Sequence, residues 1–346
     1  MARYTVKEVA RLSGVSVRAL HLLGGLRAPG GLRAENPWAG RPRTSLLLGD
    51  ALINRWLILP ALAALCALAG ASAGPGGVVT PWAPANVSSD QFESHGAFDP
   101  MNRDFYFVRS KPDFTGWRIL VSQCGATGYA PPRPAAFAGD GVEADPVFDR
   151  AGGRLYFIST RSTDGVRKKD LDIWYVERDR RGSWGTPIRM PAPVNSPGEE
   201  WFPRPGPDGW LYFGSDRPGG LGKTDIWRAR REGGGRWTID NAGPGINTAG
   251  DEYESLPSRD GKSMIVMASD GLYESRRQGD RWGPKAKLGP PVTVSGTEIG
   301  AAASPSGCSV LFSRATGTPR SGEFFLWRRG RTEAWPPACP AGRRPP

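Results

Sequence analysis

Histidine is nearly absent from this chain: 346 residues hold only His21 and His95. A metal centre built from several histidines is excluded, and a histidine-dependent catalytic triad has almost nothing to draw on. Cysteine is scarce, with Cys66, Cys124, Cys308 and Cys339, and methionine is missing between Met1 and Met101. No apolar run suits a comfortable membrane span; Leu57 to Ala69 has instead the length of a secretory h-region. It follows Arg55 and precedes Ala71-Ser72-Ala73, a small-residue cleavage site ahead of Gly74. The G-x-S-x-G match, Gly70 to Gly74, falls in that segment and not on a strand-to-helix elbow, so it is a chance match.

What the chain has in plenty is a repeat. Five times between Glu93 and Trp327 it runs through an acidic residue, usually a proline three positions on, a Gly-containing turn, a short apolar strand and an aromatic-tipped second strand. The acidic positions are Glu93, Glu143, Glu200, Glu254 and Glu298, about fifty residues apart, the scale of one four-stranded propeller blade with its loops. Apolar runs such as Leu155-Tyr156-Phe157-Ile158 and Leu211-Tyr212-Phe213 suit strands buried on both faces. Asp172-Ile173-Trp174-Tyr175 and Asp225-Ile226-Trp227-Arg228 are the clearest second strands, and a further Trp recurs at Trp184, Trp237, Trp282 and Trp335. Spacing in strand register assigns most of these tryptophans to packing between blades, not to stacking on sugars or bases.

Ser215-Asp216-Arg217-Pro218-Gly219-Gly220-Leu221-Gly222 leading to Asp225-Ile226-Trp227, with Val194-Asn195-Ser196 and Ile246-Asn247-Thr248 just ahead of the next acidic residue, resembles the TolB-like, WD-related propeller repeats of bacterial envelope proteins. The resemblance covers about residues 77 to 335 and keeps the motif order through several copies. The fourth copy departs by shortening its second strand at Ser269-Asp270-Gly271-Leu272-Tyr273, and the fifth lacks the proline after Glu298. The resemblance implies loops at one mouth that contact proteins or cell-wall material. Pro81 to Ser88 looks like the tail of a blade, placed to pair with the C-terminal blade and close the ring.

The N-terminal residues read differently. Residues 1 to 21 resemble the start of a MerR-type DNA-binding domain: Thr5 caps a first helix, Ser13-Gly14-Val15 turns, and Ser16 caps a second helix beginning Val17-Arg18. The match stops at Leu22, and residues 22 to 54 are Gly-, Pro- and Arg-rich, with no wing and no dimerising helix. Residues 55 to 73 then form the signal-like segment, and 336 to 346 a loosely ordered tail. Nine of the 45 Lys and Arg and three of the 34 Asp and Glu lie in the first 73 residues, so the remainder is only mildly basic and carries no basic stripe.

The five glutamates are expected near the start of the innermost strands, around one mouth of the channel, and are the candidates for ligand binding. A glycosidase would use two or three of them as converging acids, whereas identical placement in every repeat points to a structural role as acceptors for the turn into the strand. Asp172, Trp174, Arg217, Asp225 and Trp227 form the blade motif, with Arg161 and Arg217 expected to clasp Asp172 and Asp225. Cys308 and Cys339 are the favoured disulfide, since the tail should return to the last blade, although sequence leaves connectivity open.

These observations give an all-β protein, a propeller of five blades, or six if residues 77 to 92 and the loop Arg161 to Lys169 hold further strands. It is expected to be monomeric, exported to the periplasm or secreted without a membrane span after leader removal, and free of cofactor and metal. Its expected work is that of a non-enzymatic scaffold for an envelope protein or cell-wall polymer. One alternative is a DNA-binding regulator, membrane-tethered or cytoplasmic, with Ser16 and Arg18 on nucleic acid and the propeller as sensor. The other is a propeller glycoside hydrolase.

Overall fold

The computed structural model describes residues 76–112, 115–164, 170–316, 322–329 and 333–339. The helix-turn-helix-like stretch with Ser16 and Arg18, residues 22 to 54 and the signal-like segment lie outside the described residues. Chain order begins with β1 (Val78–Pro81). Blade one follows with β2 (Phe92–Phe98), β3 (Phe105–Ser110) and β4 (Arg118–Ser122), then a small hairpin, β5 (Cys124–Gly125) and β6 (Gly128–Tyr129), and an outer strand β7 (Arg133–Pro134). Blade two is β8 (Glu143–Phe148), β9 (Arg154–Ser159), β10 (Asp172–Glu177) and β11 (Ile188–Arg189). Blade three is β12 (Glu200–Pro205), β13 (Leu211–Ser215), β14 (Asp225–Arg231) and β15 (Trp237–Asn241). Blade four is β16 (Glu252–Pro257), β17 (Ser263–Ala268) and β18 (Gly271–Gln278), with β19 (Arg281–Trp282) and β20 (Ala286–Lys287) both paired to β18. Blade five is β21 (Ile299–Ala303), β22 (Ser309–Arg314) and β23 (Glu323–Arg328), and β1 supplies its fourth strand.

The fold is thus a five-bladed, all-β propeller. Residues 77 to 92 do hold a strand, but it completes the fifth blade: Val79 pairs with Trp327 and Thr80 with Leu326, antiparallel. Closing the ring with the opposite end of the chain leaves β23 no free edge. The second strands carry the most apolar runs because they lie mid-blade; Phe105, Phe107, Leu155, Phe157, Phe213, Val266, Leu311 and Phe312 are fully buried. Innermost strands touch around the axis in the order β2, β8, β12, β16, β21 and back to β2.

Every innermost strand is bulged, its register slipping against the second strand between Ser94 and Ala97, Ala144 and Val147, Trp201 and Arg204, Glu252 and Glu254, and Ile299 and Ala302. Three bulges force a side chain into the left-handed region, His95 at φ 54°, Asp145 at 56° and Phe202 at 49°, whereas blade five uses Gly300 at 64°. A bulge re-aims the residues it holds, here toward the propeller axis.

The expected Cys308–Cys339 disulfide is not formed. Cys339 is bonded to Cys124, across 215 residues, and Cys308 is a free thiol. The tail first touches blade five, where Glu333 accepts from Ser306 Oγ and Trp335 joins Leu311, Phe324 and Leu326, and then crosses to blade one, where Trp335 packs edge-on against Phe98 and Ala338 O accepts from Arg103 Nη1 at 2.9 Å. That path carries Cys339 to the β5–β6 hairpin.

Candidate functional site

Each innermost strand starts beside a carboxylate buried from solvent, and the loop before it bonds that carboxylate. In blade one, Ser89 Oγ donates to Glu93 at 2.5 Å and Ser89 N at 3.3 Å. Blade three repeats this with Ser196 on Glu200, at 2.6 Å from Oγ and 3.1 Å from N. Gly139 N serves Glu143 at 2.8 Å and Val294 N serves Glu298 at 2.9 Å. A cation completes each: Arg109 on Glu93 at 2.8 Å, Arg161 on Glu143, Arg217 on Glu200 at 3.0 Å and Arg314 on Glu298 at 3.0 Å. The same guanidiniums bond carbonyls of the incoming loop, at Val87, Phe137, Val194 and Val292. They also lie over aromatic rings of the blade, Arg161 above Phe157 and Trp174, Arg217 above Phe213 and Trp227.

Two sequence expectations need correction. The clasp is Glu–Arg, not Asp–Arg. Asp172 pairs instead with Arg189 at 2.6 Å, and Asp225 accepts from Gly222 N at 2.9 Å and Asn241 Nδ2 at 2.8 Å, because the third strand sets them beside the outer strand that carries Arg189 and Asn241. In blade four the ring carboxylate is Glu252, not Glu254. Thr248 Oγ1 and N reach Glu252 at 2.6 and 2.8 Å, and Lys285 supplies the cation at 2.7 Å, since the positions that hold the arginine in other blades carry Ala268, opposite Glu252, and Asp270, two residues on. The usable signal was the Ser/Thr after the loop asparagine: Ser196 precedes Glu200 by four positions, and Thr248 precedes Glu252 by the same number. Those asparagines, missed as structural residues, fasten the loop to the third strand: Asn195 Oδ1 accepts from Ile173 N and Asn247 Oδ1 from Ile226 N, both at 2.8 Å.

Glu254 belongs to a second cluster on the axis with His95, Asp145 and Arg204, none more than 4% exposed. Arg204 Nη2 donates to Glu254 Oε1 at 2.6 Å, and Glu254 Oε2 accepts from Gly300 N at 3.0 Å and Ala301 N at 3.3 Å. His95 Nε2 faces Asp145 Oδ1 at 3.3 Å, Asp145 Oδ2 accepts from Phe202 N at 2.9 Å, and the His95 and Phe202 rings lie 5.1 Å apart. Burial, reinforced by the Arg204 charge, lowers His95 to about 3, so the imidazole is neutral. Burial raises Asp145 to about 7 and Glu200 to about 7, and also raises Glu93 and Glu254.

Above this cluster, where the innermost strands end, opens a cavity of about 830 Å³. Phe98, Phe148, Leu256 and Trp335 contribute to its wall, Arg204 to its floor, and Arg103, Arg150 and Arg259 to its rim. None of the five sequence-predicted glutamates lines it. Four sit at the opposite ends of their strands, and Glu254 reaches the cavity only through Arg204.

No known family model and no curated protein matches the chain. Among solved structures it is similar to a protein of Agrobacterium tumefaciens described as TolB, at 14% identity and TM-score 0.43 over 70% of this chain and 84% of that one. It is similar as well to XC5397 of Xanthomonas campestris, described as a gluconolactonase, at 12% identity and TM-score 0.43 over 74% and 91%. The periplasmic gluconolactonase PpgL of Pseudomonas aeruginosa matches at 14% identity and TM-score 0.40 over 67% and 70%. These likenesses carry no argument about activity or ligand; the propeller assignment rests on the chain's own strand order.

Proposed function

We propose that the protein is an exported, non-enzymatic propeller that binds an envelope protein or a cell-wall polymer at one mouth. The observation behind this reading is the state of the ring carboxylates: Glu93, Glu143, Glu200, Glu252 and Glu298 are buried, each held by its incoming loop and by one cation. A hydrolytic acid and its partner carboxylate must reach the glycosidic bond with different protonation demands, and five buried groups, each tied to a loop and a cation and facing away from the cavity, do not offer that division. The regulator alternative rests on residues outside the described part of the chain. The test presents the purified protein to glycan and envelope-protein arrays, scoring retention and turnover separately. Retention without turnover is the expected result. Reproducible turnover abolished by Glu200→Gln with unchanged folding would establish the glycosidase reading instead.

A further inference from the structure

The cavity at the end of the innermost strands has the size of a small-ligand pocket, about 830 Å³. Its charge is uneven. Among its lining carboxylates only Asp99 is paired with an arginine, Arg178; Asp149 Oδ1 accepts from the backbone Arg154 N at 3.1 Å and Glu333 from Ser306 Oγ, both neutral donors. Three rim arginines bond no carboxylate and outnumber those two acids: Arg103 reaches Ala338 O at 2.9 Å, Arg259 reaches Pro305 O at 3.4 Å, and Arg150 is exposed. On the floor, Arg204 is 4% exposed and spends Nη1 on Pro203 O at 3.2 Å and Nη2 on Glu254 and Ala301. Its Nε–H has no acceptor. A buried guanidinium donor left unpaired is costly; Nε has no surface open to the cavity, so an anionic oxygen there satisfies it with a turn of the Arg204 side chain toward the cavity it lines.

We propose that this cavity is the seat of an organic carboxylate with an apolar body, the carboxylate accepting from Arg204 Nε, the body lying against Phe98, Phe148 and Leu256, and the rim arginines drawing it in. The proposal rests on the reading of the propeller as a binding module and names what the mouth takes. A free small acid and the C-terminal carboxyl group of a peptide share this chemistry.

Calorimetric titration of the full chain separates the two sources. The probes are 3-phenylpropionate and a short peptide ending in phenylalanine, each alongside its amidated form. Saturable binding of either acid, with its amide at least tenfold weaker, is expected, and the tighter acid identifies the source. Arg204→Met combined with Glu254→Met removes the buried pair together, so no charge is stranded, and is expected to weaken binding at least tenfold. Ala303→Trp, on a partly exposed wall position, fills the cavity and should do the same even if the double variant does not fold. Equal binding of acid and amide, no saturable binding of either acid, or unchanged affinity in Ala303→Trp would overturn the proposal. Turnover of a bound probe would overturn the non-enzymatic reading and leave the site standing, while loss of probe binding with array retention intact does the reverse.

Discussion

Glu200 shows how a single ring carboxylate couples the fold to pH. Burial lifts it from 4.5 to about 7 against the opposing bonds of Ser196 and Arg217. Between those two values the folded protein holds a proton that the unfolded chain has released, so stability is greatest below the lower value and declines as pH rises to the upper one. The slope contributed by one such group is at most about 1.4 kcal/mol per pH unit. His95 works in the opposite direction, because its folded value lies below 6.5 and acid charges it only in the unfolded chain. Comparing wild type with Glu200→Gln isolates the glutamate: the wild type should gain stability relative to the variant as pH falls from 7 to 4.5, measured by urea denaturation. A constant difference would contradict the assignment. Arg217→Met should also destabilise at neutral pH, by about 1 to 3 kcal/mol, since Glu200 takes up a proton but Val194 O and the carboxyl lose their donor. The ring itself was legible in the sequence because a carboxylate recurs ahead of each strand. Glu252 was not, since Glu252-Tyr253-Glu254 offers two acids in one strand and only the loop contacts distinguish them.

In blades two and three the Trp of the third strand lies under the clasp arginine, so its loss removes both packing and the ring face. Trp227 is 9% exposed, with the Arg217 guanidinium 5.4 Å from its ring centroid. Trp227→Ala should cost about 3 to 5 kcal/mol in chemical denaturation. An unchanged midpoint accompanied by lost ligand binding would make the residue a recognition platform. Strands of this kind announce themselves in sequence through continuous apolar runs bounded by Gly, Asp and Ser. The outer strands β7, β11 and β20 do not, being two residues long and carrying Arg133-Pro134, Ile188-Arg189 and Ala286-Lys287 with no buried side chain among them. The axial cluster was equally hidden, because His95, Asp145, Arg204 and Glu254 come from four blades and meet only once the ring closes.

At the scale of the whole molecule, the two ends of the propeller segment are joined in two ways. β1 supplies the outer strand of blade five, and the Cys124–Cys339 bond ties the outgoing tail to blade one. The first was legible in outline, because Pro81 to Ser88 reads as a blade tail with no beginning of its own, although the strand that pairs, Val78–Pro81, shares only Pro81 with it. The second was not, because the path taken by the tail is set by packing of Trp335 on Phe98 and not by any pattern around the cysteines. Both closures act on the same seam between blades five and one, where an opened ring would expose the edge of β23 for pairing with another chain. Peptide mapping without reduction should recover a fragment linking Cys124 to Cys339, and no fragment containing Cys308 in disulfide linkage to either. Cys339→Ser should lower stability by about 2 to 5 kcal/mol through the freer unfolded chain, while Cys308→Ser should leave the melting temperature unchanged. If the seam is the weak point, Cys339→Ser should also aggregate on heating at temperatures where the wild type does not, as followed by light scattering. A variant that melts earlier but does not aggregate would place the weak point in another blade contact.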